Sequence, residues 1–151
     1  MIVRKVSRQA LAHEPHLAWN AYVEILAMAG YGDLDPVQRV PHLCFWYENE
    51  VQNGGHLQYF ENRGTALLKE TLYALRILGA TQQQRVLEEA ARVFLNKPRS
   101  KIQTAEEFSR TALEGEFKRF DSAYYSCKPS MEKLLRAYLK LHSKHFLEIT
   151  E

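Results

Sequence analysis

The segment from Leu43 to Asn62 reads LCFWYENEVQNGGHLQYFEN and joins two groups of large aromatic residues with amides, acids and two adjacent glycines. The residues at its start are apolar on nearly all sides of a helix, as expected of a helix buried in the centre of a domain. Asn53, Gly54 and Gly55 then predict a break, because asparagine and glycine accept the left-handed conformation that ends helices. We therefore expect a central, aromatic-rich helix with the rest of the chain packed around it.

On both sides of this segment, apolar residues recur at the spacing of a helix face, and helix-start residues precede them. Proline fits the first turn of a helix, while serine, threonine and aspartate cap its first N–H groups. Two of the starts have glutamine or glutamate three residues later, which completes a capping box. The predicted starts are Pro15, Asp35 followed by Pro36, Thr81 with Gln84, Thr104 with Glu107, and Ser130. Pro41 is expected to restart or kink the central helix.

The short connections between these helices predict an all-α fold. About six or seven helices are expected to form a single compact bundle around the central aromatic-rich helix. No internal repeat or linker divides the chain, so residues 1–151 are expected to form one helical domain. For residues 1–14 we expect an irregular or weakly structured lead-in, with a short strand as the alternative.

The composition is that of an ordinary globular protein, with 46% hydrophobic residues, 25% charged residues and a formal net charge of +2. This balance, and basic loops without interleaved aromatic residues, argue against direct nucleic-acid binding. Two cysteines cannot form a disulfide framework, and Cys44 within an apolar run indicates a reduced, buried thiol in the cytoplasm. No signal-peptide pattern is present, and no apolar run approaches the roughly 20 residues that span a bilayer, so no membrane contact is expected.

Acidic residues are concentrated between Glu24 and Glu61. This segment contains six acids against the single cation Arg39, a net charge of −5. If the acids lie on one side of the fold, they form an acidic surface that fits a basic protein partner. The alternative is that they scatter around the molecule. The candidate surface consists of Glu24, Asp33, Asp35, Glu48 and Glu61.

The central segment also supplies the candidate binding residues, which are Glu48, Glu50, Asn53, His56, Gln58, Tyr59 and Asn62. Glu50 shares a helix face with large apolar residues, so it is expected to be partly buried. A structural glutamate satisfied by asparagine, tyrosine or backbone donors is favoured over a catalytic one. We predict no catalytic residue, no cofactor and no metal site. The chain lacks a nucleophile triad, a phosphate loop and zinc-ligand spacing, and its two histidine pairs have no further ligands nearby in the sequence.

The residues from Trp46 to Gly55, followed by Gln58, Tyr59, Phe60 and Asn62, resemble the core motif of the bacterial DNA-mimic protein family, Glu-Asn-Glu-Val-x-Asn-Gly-Gly-x-x-Gln-Tyr-Phe-x-Asn. The similarity extends over most of the chain from about Leu17 onward. It implies an all-α fold, no established catalytic centre, and an acidic surface presented to a DNA-binding protein.

Two features depart from this family pattern. His56 stands where the family usually has an aromatic residue. The chain also has more cations than acids, whereas duplex DNA carries one charge per roughly 1.7 Å of its axis. Mimicry by the whole surface is therefore not expected, and only the Glu24–Glu61 side has the charge for it.

Taken together, these patterns predict a non-enzymatic helical interaction protein that binds and regulates or neutralises a protein partner. The partner class is a DNA-binding protein or a toxin, and a homodimer is also possible. The alternative is an enzyme or small-ligand-binding protein with a pocket near Glu50, His56, Gln58 and Tyr59.

Overall fold

The computed structural model describes residues 1–151, and its regular elements are eight α-helices, two short strands and two single turns of 3-10 helix. The 3-10 turns are Tyr31–Asp33 and Ser143–His145. In chain order the other elements are β1 (Arg4–Ser7), α1 (Arg8–His13), α2 (His16–Met28), α3 (Pro36–Arg63), α4 (Leu68–Leu78), α5 (Thr81–Leu95), α6 (Ala105–Leu113), α7 (Lys118–Tyr125), α8 (Met131–His142) and β2 (Leu147–Thr150). The expected all-α fold is confirmed. None of the helices is both long and apolar enough to cross a bilayer.

Helix α3 begins after Asp35, the N-cap that the sequence predicts, and Gln38 completes a capping box there. The Asp35 carboxylate accepts from the Gln38 backbone N–H at 2.8 Å, and the Gln38 side chain accepts from the Asp35 N–H at 3.2 Å. The helix then continues through Pro41 with helical backbone angles, so the expectation that Pro41 restarts the segment is wrong. Proline cannot donate to the carbonyl four residues earlier, and the Tyr138 hydroxyl of α8 donates to that Val37 oxygen instead, at 2.9 Å.

A bend at Gly54 and Gly55 divides α3 into two parts, as the sequence predicts. Gly55 has a φ of +72°, and the Asp121 carboxylate of α7 lies against it. Asp121 Oδ1 accepts from the His56 backbone N–H at 2.8 Å and so caps the second part of the helix. That part ends at Arg63, before Gly64, whose φ is +61°.

The core is a continuous cluster of buried apolar side chains around α3, with aromatic rings at its centre. The Phe60 ring stacks on Phe94 of α5 with centroids 4.4 Å apart, and the Tyr22 ring of α2 meets Phe146 edge-on at 4.8 Å. Cys44 is a free, buried thiol, as the sequence indicates. Burial raises the pKa of this thiol, so it remains protonated.

The short strand that was the alternative expectation for residues 1–14 forms as β1, whereas an irregular or weakly structured lead-in does not describe Arg4–His13, which form β1 and α1. The strand β1 pairs in parallel with β2, from Arg4 opposite Leu147 to Ser7 opposite Thr150. The additional helix α1 also explains why eight helices form where six or seven were expected. Backbone hydrogen bonds to a strand about 140 residues away stabilise this segment, and local sequence patterns do not contain that information.

Two of the remaining predicted helix caps form and one does not. Thr104 accepts from the Glu107 N–H at 3.1 Å and Ser130 from the Lys133 N–H at 3.3 Å. Thr81 makes no cap, because α5 begins one residue earlier with the buried Ala80 as its N-cap. Gly79, left-handed at φ +90°, turns the chain directly from α4 into α5.

Candidate functional site

The bend in α3 brings three of the predicted site residues together. The Glu50 carboxylate is 7% exposed, and its Oε2 accepts from Gln58 Nε2 at 2.9 Å and from Asn62 Nδ2 at 2.8 Å. In a straight helix, residues 50 and 58 would be about 12 Å apart along the axis. The bend therefore creates this polar cluster, and its amide donors satisfy the glutamate as a structural role requires.

Arg63 completes the cluster, although no sequence pattern predicts it as a site residue. Its Nε lies 3.5 Å from Glu50 Oε1, and its guanidinium carbon lies 3.7 Å from the centre of the Trp46 ring. The indole face and the carboxylate together hold the guanidinium in place. Arg63 and Trp46 are 17 positions apart across the bend, so helical spacing alone gives no signal for this contact.

His56 does not join this cluster, because its side chain points into the core and is fully buried. Its Nδ1 donates to Asp121 Oδ1 at 2.7 Å, and its Nε2 forms a hydrogen bond with the Tyr47 hydroxyl at 2.8 Å. Burial raises the pKa of Tyr47, which keeps this hydroxyl protonated and able to donate. His56 therefore occupies a packing position and connects the bend of α3 to α7 through hydrogen bonds.

The other candidate binding residues lie apart from one another. Glu48 accepts from the Tyr124 hydroxyl and from Gln52, and burial raises the pKa of its carboxyl group. Asn53 is exposed at the bend and borders a shallow hollow beside Glu50. Tyr59 lines a separate cavity, so Glu50, His56, Gln58 and Tyr59 do not converge on one of the larger cavities.

The five acids of the candidate acidic surface are mostly engaged within the protein. Glu24 pairs with Arg4 at 3.1 Å, and Glu61 accepts from the Ile102 N–H at 3.2 Å. Asp35 caps α3 and also lies 3.2 Å from His145, while Glu48 has the contacts described above. Asp33 is exposed. Asp35 and Glu61 lie at opposite ends of α3, so these acids do not follow one another in a continuous row.

Neither histidine pair gathers a ligand set. His16 lies 3.6 Å from Glu14, and His145 lies beside Asp35. No group of three or more histidine, cysteine, aspartate or glutamate side chains is placed to hold a metal ion.

A cavity of about 320 Å³ lies between the end of α2 with the loop after it, both parts of α3, and the start of α4. Seven of its 13 lining residues are hydrophobic, and its polar groups include His42, Tyr59, Arg63 and Thr71. His42 Nδ1 donates to the Leu26 carbonyl at 2.9 Å, and Trp46 Nε1 donates to the same oxygen at 3.1 Å. Burial lowers the pKa of His42, so its ring is neutral and Nε2 is an acceptor.

Comparison with known proteins identifies one match. A family model described as DMP19-like protein matches residues 32–142, which include all of α3 and extend to the end of α8. No curated protein and no solved structure shows significant similarity to the chain. Because the family match covers well over half of its residues, the chain belongs to the DMP19-like protein family.

Proposed function

We propose that the protein is a non-enzymatic helical interaction protein that binds and regulates or neutralises a protein partner. The observation that carries this proposal is membership of the DMP19-like family, which suggests a DNA-mimic type of protein interaction. The match covers the bent helix and the core around it, and the exposed faces of those elements are therefore the first place to seek the contact surface.

The exposed face of α4 is the best candidate for this contact. Tyr73 is 55% exposed and Ile77 is 47% exposed, one helical turn apart, while the Arg76 guanidinium lies 5.2 Å from the Tyr73 ring centre. Tyrosine and arginine are enriched at the energetic centres of protein interfaces. The opposite face of α4 packs into the core, so Tyr73 and Ile77 are not needed to hold the helix.

The charges beside this face indicate the chemistry of the partner. An open groove adjoins Tyr73, and its charged lining residues are Arg39, Lys69 and Glu70. Together with Arg76, these residues place three cations and one acid beside the exposed face of α4. The complementary surface is an apolar patch of the partner that is bordered by carboxylates.

DNA mimicry through the acidic segment is the second candidate, and the net charge of −5 between Glu24 and Glu61 supports it. Asp35, Glu48 and Glu61 accept hydrogen bonds from the protein itself, so a partner would have to compete for them. The exposed Asp33 and Glu24 would make most of such a contact.

Affinity capture with four forms of the immobilised protein separates these possibilities. The contact variant carries Tyr73→Ser and Ile77→Ser, the acid variant carries Glu24→Gln and Asp33→Asn, and the matched control carries Leu95→Ser and Leu113→Ser. The control residues are also exposed hydrophobic side chains, but they lie on α5 and α6. We expect wild type and control to retain the same protein from a lysate of the source cell. The contact variant should bind that protein about 30-fold more weakly, the effect of losing an interface centre.

The remaining outcomes contradict the proposal at different points. Loss of the partner in the acid variant alone would exclude the α4 face and favour DNA mimicry. Failure of the wild type to retain any protein would contradict an interaction role. Sedimentation of the purified protein tests the homodimer, since self-association that the contact variant abolishes would make a second copy the occupant of the α4 face.

A further inference from the structure

We infer that the cavity between the loop after α2, α3 and α4 is a binding site for a small organic anion, specifically a monocarboxylate with a flat apolar body. This site is separate from the exposed face of α4 and does not depend on a protein partner. Three properties of the cavity support this assignment: its size, its charge, and the arrangement of its polar atoms.

The size and walls of the cavity suit a ligand with a single ring. Its volume of about 320 Å³ is at the lower end of the range of roughly 300–1,000 Å³ for small-molecule sites. Apolar side chains, including Leu43, Trp46 and Leu67, form much of the wall. A flat hydrophobic body would displace water from these surfaces, which favours its binding.

Arg63 is the only formally charged residue among those that line the cavity. Its Nε faces Glu50, and no hydrogen bond within the protein uses either Nη group. Two parallel N–H groups of a guanidinium match the two oxygens of a carboxylate. The lining of the cavity therefore contains a cationic anchor and no carboxylate, and the nearby Glu50 carboxylate pairs with the guanidinium at Nε, which leaves the Nη groups for the ligand.

The motif residues of α3 hold this anchor in position. Gln58 and Asn62 both donate to Glu50 Oε2, which leaves Oε1 directed at Arg63. The Trp46 ring supports the guanidinium from one face. Glu50, Gln58 and Asn62 are therefore positioning residues for Arg63.

Polar groups elsewhere in the lining can recognise a substituent on the body of the ligand. The neutral His42 ring presents Nε2 as an acceptor, because Nδ1 donates to the Leu26 carbonyl. Burial raises the pKa of Tyr59, so its hydroxyl remains a donor. A ring that carries a hydroxyl or N–H group is the form of the carboxylate that these atoms favour.

Fluorescence of Trp46 provides a direct test, because this residue lines the cavity and contacts Arg63. The chain has two tryptophans, so Trp19→Phe leaves Trp46 as the single reporter. We expect benzoate to change the fluorescence saturably in the millimolar range or below. Benzamide has the same shape without the charge, and its affinity should be lower than that of benzoate by a factor of about ten or more. The absence of saturable benzoate binding, or equal binding of benzamide, would overturn the inference.

Two further variants locate the binding. Arg63→Gln should weaken benzoate binding about tenfold or more, whereas Arg119→Gln should leave it unchanged. Arg119 is the matched control because it also lies over an aromatic ring, that of Phe120, but outside the cavity. Ala27→Leu fills the cavity while it retains Arg63, so it should also block benzoate. This variant decides the question if Arg63→Gln fails to fold, as judged by circular dichroism. Full binding in Ala27→Leu would exclude the cavity as the site.

Discussion

At the bend of α3, the absence of a side chain at Gly55 allows a carboxylate from another helix to approach the backbone. A Cβ atom built on Gly55 would lie 2.5 Å from Asp121 Oδ2, and the φ of +72° is itself unfavourable for other residues. Asp121 caps the second part of α3 and orients His56. The bend that brings Glu50, Gln58 and Asn62 together therefore depends on Gly55, and also on Gly54, because the Gln58 side chain lies directly against it.

We predict that Gly55→Ala lowers the free energy of unfolding by about 1–3 kcal/mol, because the alanine must adopt a strained backbone and displace the Asp121 carboxylate. Urea unfolding measures this difference. Gly32→Ala is the matched control, since a methyl group on Gly32 would have no atom within 4 Å and the residue has no positive φ. Equal losses in the two variants would show that the contact with Asp121 is unimportant.

The contacts of individual side chains can be predicted from the sequence where the two partners are close along the chain. The interpretation of Glu50 as a structural glutamate satisfied by asparagine agrees with the hydrogen bond from Asn62, 12 positions away. The partner of His56 could not be predicted, because Asp121 is 65 positions away and lies on another helix. Arg63 and His42 were missed as cavity residues for the same reason, since the cavity forms only when three elements pack.

Among the elements, α3 shows how a proline is accommodated inside a long helix. Pro41 leaves the Val37 carbonyl without its usual donor, and the Tyr138 hydroxyl replaces it. Burial raises the pKa of Tyr138 to about 12, so the hydroxyl remains a donor under ordinary conditions. This bond connects the first part of α3 to α8.

We predict that Tyr138→Phe lowers the free energy of unfolding by about 1–3 kcal/mol, because it leaves the Val37 carbonyl without a partner. In a Pro41→Ala background, the alanine N–H can donate to the Val37 carbonyl. Tyr138→Phe should therefore lower the free energy of unfolding by less in that background. A double-mutant cycle by urea unfolding gives the coupling, which we expect to be about 1 kcal/mol. Simple additivity of the two substitutions would contradict this explanation.

Helix starts were predicted well where the capping residue acts within three positions, as at Asp35, Thr104 and Ser130. The prediction of Thr81 as a cap is wrong because Thr81 is already the first residue of α5, and its N-cap is Ala80, directly after the left-handed Gly79. The continuation of α3 through Pro41 was also missed. The donor that replaces the missing N–H of Pro41 is the Tyr138 hydroxyl, 101 positions from Val37, and no local sequence pattern identifies it.

Across the whole molecule, the first and last segments are held against the start of α3. The fully buried Gln38 side chain donates to the carbonyls of Ile2 at 2.6 Å and His145 at 2.7 Å. Asp35 adds a contact with the His145 ring. Burial alone would raise the pKa of Asp35, but the hydrogen bonds from Gln38 and His145 outweigh it and lower the pKa below the ordinary 3.8.

A carboxyl group whose pKa is lowered in the folded state stabilises the protein at pH values above its ordinary pKa. This contribution is lost as the pH falls through the pKa of the folded state. We predict that Asp35→Asn, which keeps a capping oxygen but cannot ionise, reduces the free energy of unfolding by about 1 kcal/mol near pH 5. The difference from wild type should shrink as the pH falls below the ordinary carboxyl pKa of 3.8 and through the lower folded value. Urea unfolding across this range tests it, with the exposed Asp33→Asn as the control. A difference that stays constant with pH would contradict the role of the Asp35 charge.

The pairing of β1 with β2 has a consequence for how the protein is made. Arg4 pairs with Leu147, so the residues of β1 leave the ribosome long before their partner strand is synthesised. At about 5–20 residues per second, the delay is roughly 7–30 s. During that time β1 is an unpaired strand on a nascent chain, with free backbone groups that can bind a chaperone or another chain. The helices between the two strands can form during translation, but the sheet can form only after β2 has also left the ribosome.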